Sequence, residues 1–272
     1  MHAASRAALS HGNESLDELL WNRDQTLVVA AKTGTELFEV VETLDADRAL
    51  RVALAEASYT PEQRAGIATK VFQGKIADET LKLLTDIVSQ TWSTTAELRE
   101  GLVQIGRRSL LRGAESQDQL ELVEDEIYSL SSLLDRESKL TQLLSDRTAE
   151  PDAKRGLLAN VLYGKVNMVT EALALQVIGR PEDNPIDDLR NIADQAAELR
   201  GKAVAQVISS VELNEGQQAT LAEKLGHIYG REMSIHSEVD PSLLGGMIIR
   251  AFNEVIDGST SGKLARMRTA LA

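Results

Sequence analysis

The sequence predicts a mostly helical chain ending in a small α+β domain, and three observations support that prediction. Aromatics make up only 3% of the 272 residues while Ala, Leu and Glu abound, a composition that favours helix. The sequence matches itself at an offset of 90 positions through a stretch with leucine at helical spacing. After Arg200 the apolar period shortens to two, the spacing of half-buried strands.

Laid over itself without a gap, 36–84 falls on 126–174. Leu44 meets Leu134, Asp45 meets Asp135, Leu50 meets Leu140 and Leu54 meets Leu144. Pro61 meets Pro151, Gly66 meets Gly156, and Gly74-Lys75 meets Gly164-Lys165. Matched Pro and Gly mark matched helix starts and stops, so duplication explains the agreement better than chance. The expected organisation is an additional N-terminal helical unit over 1–93, a second bundle unit over 94–200 and a C-terminal α+β domain over 201–272.

In the first unit, Thr60-Pro61-Glu62-Gln63 reads as a capping box with Pro at the first helical position. Ile67, Val71 and Phe72 share a face behind it, and Gly74 stops the helix. Thr94 and Glu97 read as a second capping box opening a long helix, with Leu98, Leu102, Ile105 and Ser109 in one stripe and Val103, Leu110 and Leu111 beside it. Amphipathic helices on short connections pack as antiparallel bundles. Trp21 and Trp92 read as packing residues. Beyond Arg200, Ala203, Ala205, Val207 and Val211 alternate along one strand; Met233, Ile235 and Val239 alternate along another, with Ser234, His236 and Glu238 towards solvent. Asn214 caps a helix between them that carries Leu221, Leu225 and Ile228. Further strands lie around an Asn253-Glu254 turn. A last helix sets Leu264, Met267 and Leu271 against Lys263, Arg266 and Arg268.

The run VIDGSTSGKLARMR, 255–268, imitates a phosphate-binding loop. Such a loop reads G-x-x-x-x-G-K-[ST]. Here only Ser259, Thr260 and Ser261 separate Gly258 from Gly262, and Leu264 follows Lys263, so the magnesium ligand is missing. A tight turn with a hydroxyl capping the last helix is the better reading. No Cys is present, and the His residues at 2, 11, 227 and 236 have no ligand spacing, so no disulfide, metal centre or cofactor is expected. The sequence has no nucleophile-elbow motif, and its Asp and Glu fall at helical spacing as solvated faces, so no catalytic residue is expected either. A net charge of -13 argues against a general nucleic-acid binder. The N-terminus lacks a charged segment followed by an apolar one, and no run approaches a membrane span; an intracellular chain outside the bilayer is expected.

The stretch 239–272, VDPSLLGGMIIRAFNEVIDGSTSGKLARMRTALA, resembles the C-terminal signature of the δ subunits of F-type ATP synthases, the family that includes the mitochondrial oligomycin-sensitivity-conferring protein. Asp240, Pro241, Leu244, Gly245, Gly246, Asp257, Gly258 and Ser259 match the signature position by position, although the turn lacks its usual Arg near Ser261. Residues 95–200 resemble the family's six-helix bundle through EDEIYSLSSLL, LTQLLSD and KRGLLANVLYGKV. The residues ahead of them resemble the long δ variant, in which part of the bundle is duplicated.

The resemblance implies a non-catalytic stator protein at the cytoplasmic face of the cell membrane. It would tie the catalytic head to the peripheral b stalk so that proton-driven rotation stays coupled to ATP synthesis. It also implies that the bundle receives the N-terminal helix of an α subunit, while the C-terminal domain receives the last helix of b, both as helices in grooves. For the α-facing groove the expected lining is Leu102, Ile105, Leu110, Thr170, Leu173 and Val177, with bundle core as the alternative for each. Gly245 and Gly246 are then a bend ahead of a strand, and Asp257 an acceptor of turn hydrogen bonds. A helical-repeat adaptor with no role in ATP synthase is the alternative that duplication alone would permit.

Overall fold

The structure, a computed structural model, describes residues 1–21, 25–146, 148–182, 184–252 and 254–271. Helices α1 (Ala3–Leu20), α2 (Thr26–Ala46), α3 (Arg48–Ala55), α4 (Pro61–Phe72) and α5 (Asp78–Ser89) lead to the long α6 (Thr95–Glu115). Helices α7 (Leu120–Arg136), α8 (Ser138–Ser145), α9 (Pro151–Leu162), α10 (Met168–Gly179) and α11 (Pro185–Leu199) follow. The local signals act as chemistry dictates. Thr60 and Gln63 form the reciprocal capping box of α4, with Pro61 at its first position. At α6 only half a box forms: Thr94 accepts from the Glu97 amide, but the Glu97 carboxylate turns instead to the amide of His2 and the hydroxyl of Ser5, tying α1 down.

The duplication extends to individual hydrogen bonds. Glu36 accepts from the Thr80 hydroxyl at 2.5 Å and the Ala77 amide at 3.0 Å. Glu126, 90 positions on, accepts from the Thr170 hydroxyl at 2.5 Å and the Asn167 amide at 2.8 Å. Arg64 is buried and donates to the carbonyls of Val88 (2.8 Å) and Tyr59 (2.7 Å); its counterpart Lys154 is also buried and reaches the Asp146 carbonyl. Each pair of counterparts Leu44 and Leu134, Leu54 and Leu144, Phe72 and Leu162, Leu83 and Leu173 is buried. A repeat that preserves buried polar bonds as well as apolar positions preserves the whole packing scheme.

The expected junction between 93 and 94 falls just ahead of α6, and α6 serves both units. Its Leu98, Leu102, Val103 and Ile105 enter the first core, and its Leu110, Leu111 and Ala114 enter the second. Helix α6 is the last helix of the first bundle and the opening helix of the next. Close approach to α2 makes this possible: a Cβ on Gly34 would stand 2.8 Å from the Gly106 carbonyl oxygen, and one on Gly106 would stand 2.6 Å from the Phe38 ring.

The C-terminal domain comprises β1 (Lys202–Ser209), α12 (Glu215–Tyr229), β2 (Glu232–Val239), a 3-10 turn (Pro241–Leu243), β3 (Met247–Ala251), β4 (Glu254–Asp257) and α13 (Thr260–Leu271). Its sheet order is β2-β1-β3-β4, with β1 and β2 parallel across α12 and the other pairs antiparallel. Ala203, Ala205, Val207, Met233 and Ile249 form a core under Leu225 of α12. Asn214 and Gln217 make the capping box of that helix. Val211 and Ile228 are exposed, the first lying beyond its strand and the second on the outer face of α12. Trp92 is buried and donates from Nε1 to the Ile87 carbonyl, whereas Trp21 is 76% exposed and packs in no core. Asn253 and the side chain of Leu271 lie outside the described residues.

Candidate functional site

All six residues expected to line the α-facing groove are interior. Leu102, Ile105, Thr170, Leu173 and Val177 are fully buried, and Leu110 is 2% exposed. The reason is α2. It lies along α6, sets Leu27, Ala31 and Phe38 against the second core, and continues through ion pairs of Glu42 with Arg155 on α9 and of Asp45 with Arg180 after α10. The surface that α6 and α10 would offer a partner is filled by a helix of the same chain.

The equivalent surface one repeat earlier is open. There α1 and α5 take the places of α6 and α10, and they flank a groove of about 660 Å³ lined by His11, Ser15, Leu19, Ala65, Leu83 and Asp86. Ala65 is the counterpart of Arg155, the residue that α2 contacts in the second unit. Glu18 and Asp86 place carboxylates along this groove, with Lys82 the cation among its lining residues. Ser15 donates to Asp86, and His11 stands 3.1 Å from it.

The signature residues of the C-terminal domain build a joint. Asp240 caps the 3-10 turn by accepting from the Ser242 amide, with Pro241 next to it. Leu244 and Gly246 have positive φ, and Gly245 sits at φ +156. Met247 and Gly245 accept through their carbonyls from the Gly258 and Thr260 amides, so the bend lies directly on the turn that starts α13. In that turn Asp257 accepts from the Ser259 amide (2.9 Å) and hydroxyl (2.6 Å), and the Ser259 oxygen accepts from the Gly262 amide as an N-cap. A Cβ on Gly246 would lie 2.4 Å from the Gly258 carbonyl oxygen, at φ +75. Gly246→Ala is therefore expected to destabilise the domain by about 2–3 kcal/mol. Thermal unfolding followed by circular dichroism measures it, and an unchanged midpoint would contradict the close approach.

His236 is not on the solvent side of its strand. It is 5% exposed, stacked on Tyr128 of α7 with ring centroids 4.0 Å apart, and its Nε2 lies 3.1 Å from Glu124 Oε1. Glu124, fully buried, also accepts from Arg200 at 2.6 Å. Burial alone would raise the Glu124 carboxyl, but hydrogen bonds from His236, Ser234 and Arg200 outweigh it and hold the group below its ordinary value. Burial pushes Asp125 and Asp194, which also face the histidine, upwards. Glu238, expected in solvent, accepts from Tyr128 (3.0 Å) and Ser132 (2.7 Å). The polar face of β2 is the contact that locks the sheet to the second bundle.

A profile described as the ATP synthase delta (OSCP) subunit matches residues 108–271. The chain belongs to this family. ATP synthase subunit delta of Corynebacterium glutamicum (strain R) is 63% identical over 272 residues, covering 100% of both chains. Its namesake in Corynebacterium efficiens is 62% identical, covering 100% of this chain and 99% of that one, and that of Corynebacterium aurimucosum is 58% identical over the whole of both. A chain in the cryo-EM structure of the Toxoplasma gondii mitochondrial ATP synthase hexamer matches 61% of this chain and 94% of its own length at 17% identity and a TM-score of 0.36. Full-length relatives of this kind set aside a helical-repeat adaptor unconnected with ATP synthase, and they share the N-terminal unit as well as the signature. Membership makes the chain part of the ATP synthase complex. Among the described residues no helix is long and apolar enough to cross a membrane, and no group of His, Asp and Glu is arranged to hold a metal.

Proposed function

We propose that this chain is the non-catalytic stator tie of an F-type ATP synthase, at the cytoplasmic face of the cell membrane. Its first bundle grips the N-terminal helix of the α subunit, and its last domain grips the terminal helix of the b stalk. The observation that carries the reading is full-length kinship with δ subunits, joined to two separate surfaces able to take helices. The α helix lies in the α1/α5 groove, the counterpart of the surface on which α2 lies one repeat later. Helix-in-groove packing places apolar anchors at i, i+3, i+4 and i+7, and the acidic Glu18 and Asp86 favour basic residues on the incoming helix. The b helix meets a second surface. There Leu213, Leu221 and Met247 line an apolar groove of about 360 Å³, and Val255, Ile256 and Met267 are exposed elsewhere on the same domain.

Titrating the full chain with each helix as a synthetic peptide, followed by amide hydrogen exchange, tests the assignment. The α peptide is expected to protect α1 and α5, and the b peptide to protect β3, β4 and α12. Protection of the same segment by both peptides would contradict it.

A further inference from the structure

Where α7 and α11 meet the sheet they enclose a pocket of about 330 Å³. Its sheet wall carries Lys202 and Gln206 of β1, Arg250 of β3 and Arg231 just ahead of β2. Alternation puts 202 and 206 on one face of β1, and the pairing of Gln206 with Arg250 puts Arg250 on the same face. These cations stand out on a chain with 42 acidic and 29 basic residues. Arg99, Arg108, Arg155, Arg180 and Arg200 each find a carboxylate, but among the described residues Lys202, Arg231 and Arg250 have no ion pair and no side-chain hydrogen bond. Like charges on one wall, none of them in contact with a carboxylate, repel one another, and an anion between them relieves that repulsion.

A second, independent feature lies at the same pocket. Phe252 is held at φ +54, in the left-handed region that bulky side chains rarely adopt, with its ring 56% exposed. That φ belongs to the turn joining β3 to β4, and the ring, tilted against Tyr229 with centroids 5.2 Å apart, stays largely exposed beside the pocket.

We propose that this pocket binds a phosphate-bearing small molecule, its anion held by Lys202, Arg231 and Arg250 and its apolar part against Phe252. The planar forks of two arginines match phosphate oxygens, and lysine adds a mobile point charge. The volume suits a small molecule at a domain boundary, and the donors converge from different strands instead of tracking along a groove as for a peptide. Asp194 and Glu198 belong to the opposite wall, on α11. Burial raises the Asp194 carboxyl above its ordinary value, which lessens its opposition to an anion. Arg190 also lines the pocket but is paired with Asp135 and Asp187, so three unpaired cations face two carboxylates there. A ligand seated here touches both the bundle and the sheet, so its binding stiffens the joint between them. This inference does not rest on the stator reading.

Isothermal titration of the full chain with inorganic phosphate and, separately, with ATP decides the matter. The expected result is saturable one-to-one binding of phosphate, of ATP or of both, weakened by added salt. Arg231→Gln and Arg250→Gln should each lower the affinity about tenfold, since each removes a charge-assisted hydrogen bond. Lys70→Gln, on the distant α4, should leave affinity unchanged, and unaltered thermal melts show that the variants fold. ATP binding that inorganic phosphate displaces identifies a phosphate subsite; ATP binding lost in Phe252→Ala as well identifies the aromatic contact. Absence of saturable binding to both probes, or an affinity in both arginine variants equal to that of the unsubstituted chain, would overturn the proposal. So would binding of a polyglutamate peptide with neither small molecule bound, because the pocket would then be a protein-docking surface.

Discussion

Ala65→Trp is expected to loosen the chain from the catalytic head while leaving its fold intact. Ala65 is half-buried on α4 and lines the α1/α5 groove, so an indole there occupies the space an incoming helix needs. Loss of the anchors at one end of a docked helix weakens binding by about 10- to 100-fold, or roughly 1.4–2.8 kcal/mol. Affinity for isolated heads measures the effect, with the melting temperature as the control for folding. Unchanged affinity would mean that α1 and α5 do not receive the helix, and the first unit would need another purpose. The counterpart substitution in the second unit, at Arg155, would act differently: it would break the ion pair with Glu42 and lift one end of α2, an effect on stability.

Glu124→Ala is expected to have the largest effect on stability. The carboxylate is fully buried, receives Arg200 and lies against His236, so its removal takes a hydrogen-bond partner from the buried His236 ring and leaves Arg200 with Glu121 alone. Breaking such a pair costs about 3–5 kcal/mol. Hydrogen exchange should show β2 and α7 losing protection together. The pH dependence follows from the directions of the shifts. Glu124 lies below its ordinary value of 4.5, so its contribution is complete above 4.5 and disappears as pH falls through its depressed value. Asp125 and Asp194 lie above their ordinary value of 3.8, so their contribution is complete below 3.8 and is lost as pH rises through their raised values. Acidification from neutrality should therefore first tighten the contact slightly and then release it below 4.5. Monotonic behaviour over that range would contradict the assignment of the clasp.

What the sequence made legible was local. Thr60, Pro61 and Gln63 act within one turn, as does the Asn214 cap, and their hydrogen bonds are those their positions predict. The duplication was legible because Pro61 and Pro151, or Gly74 and Gly164, are constrained by backbone geometry before any tertiary contact forms. What stayed hidden depended on distant partners. His236 alternates with apolar neighbours like a solvent-facing residue, but its partner Glu124 lies 112 positions away. The stripe through Leu102, Ile105 and Leu110 was recognisable as apolar, yet periodicity cannot tell a stripe covered by a helix of the same chain from one awaiting a partner. A signal was present all the same. Leu98, Gly101, Leu102, Val103, Ile105 and Gly106 make α6 apolar or small over an arc wide enough for several neighbours, with Glu100, Gln104, Arg108 and Arg112 as its polar stripe.

Rebuilding the rotary enzyme in sealed vesicles without this chain, then adding it back, tests the central claim most directly. ATP synthesis driven by a proton gradient is expected to be lost in its absence, to return on addition of the full chain, and to return only weakly with Ala65→Trp. Undiminished synthesis without the chain would contradict a stator role.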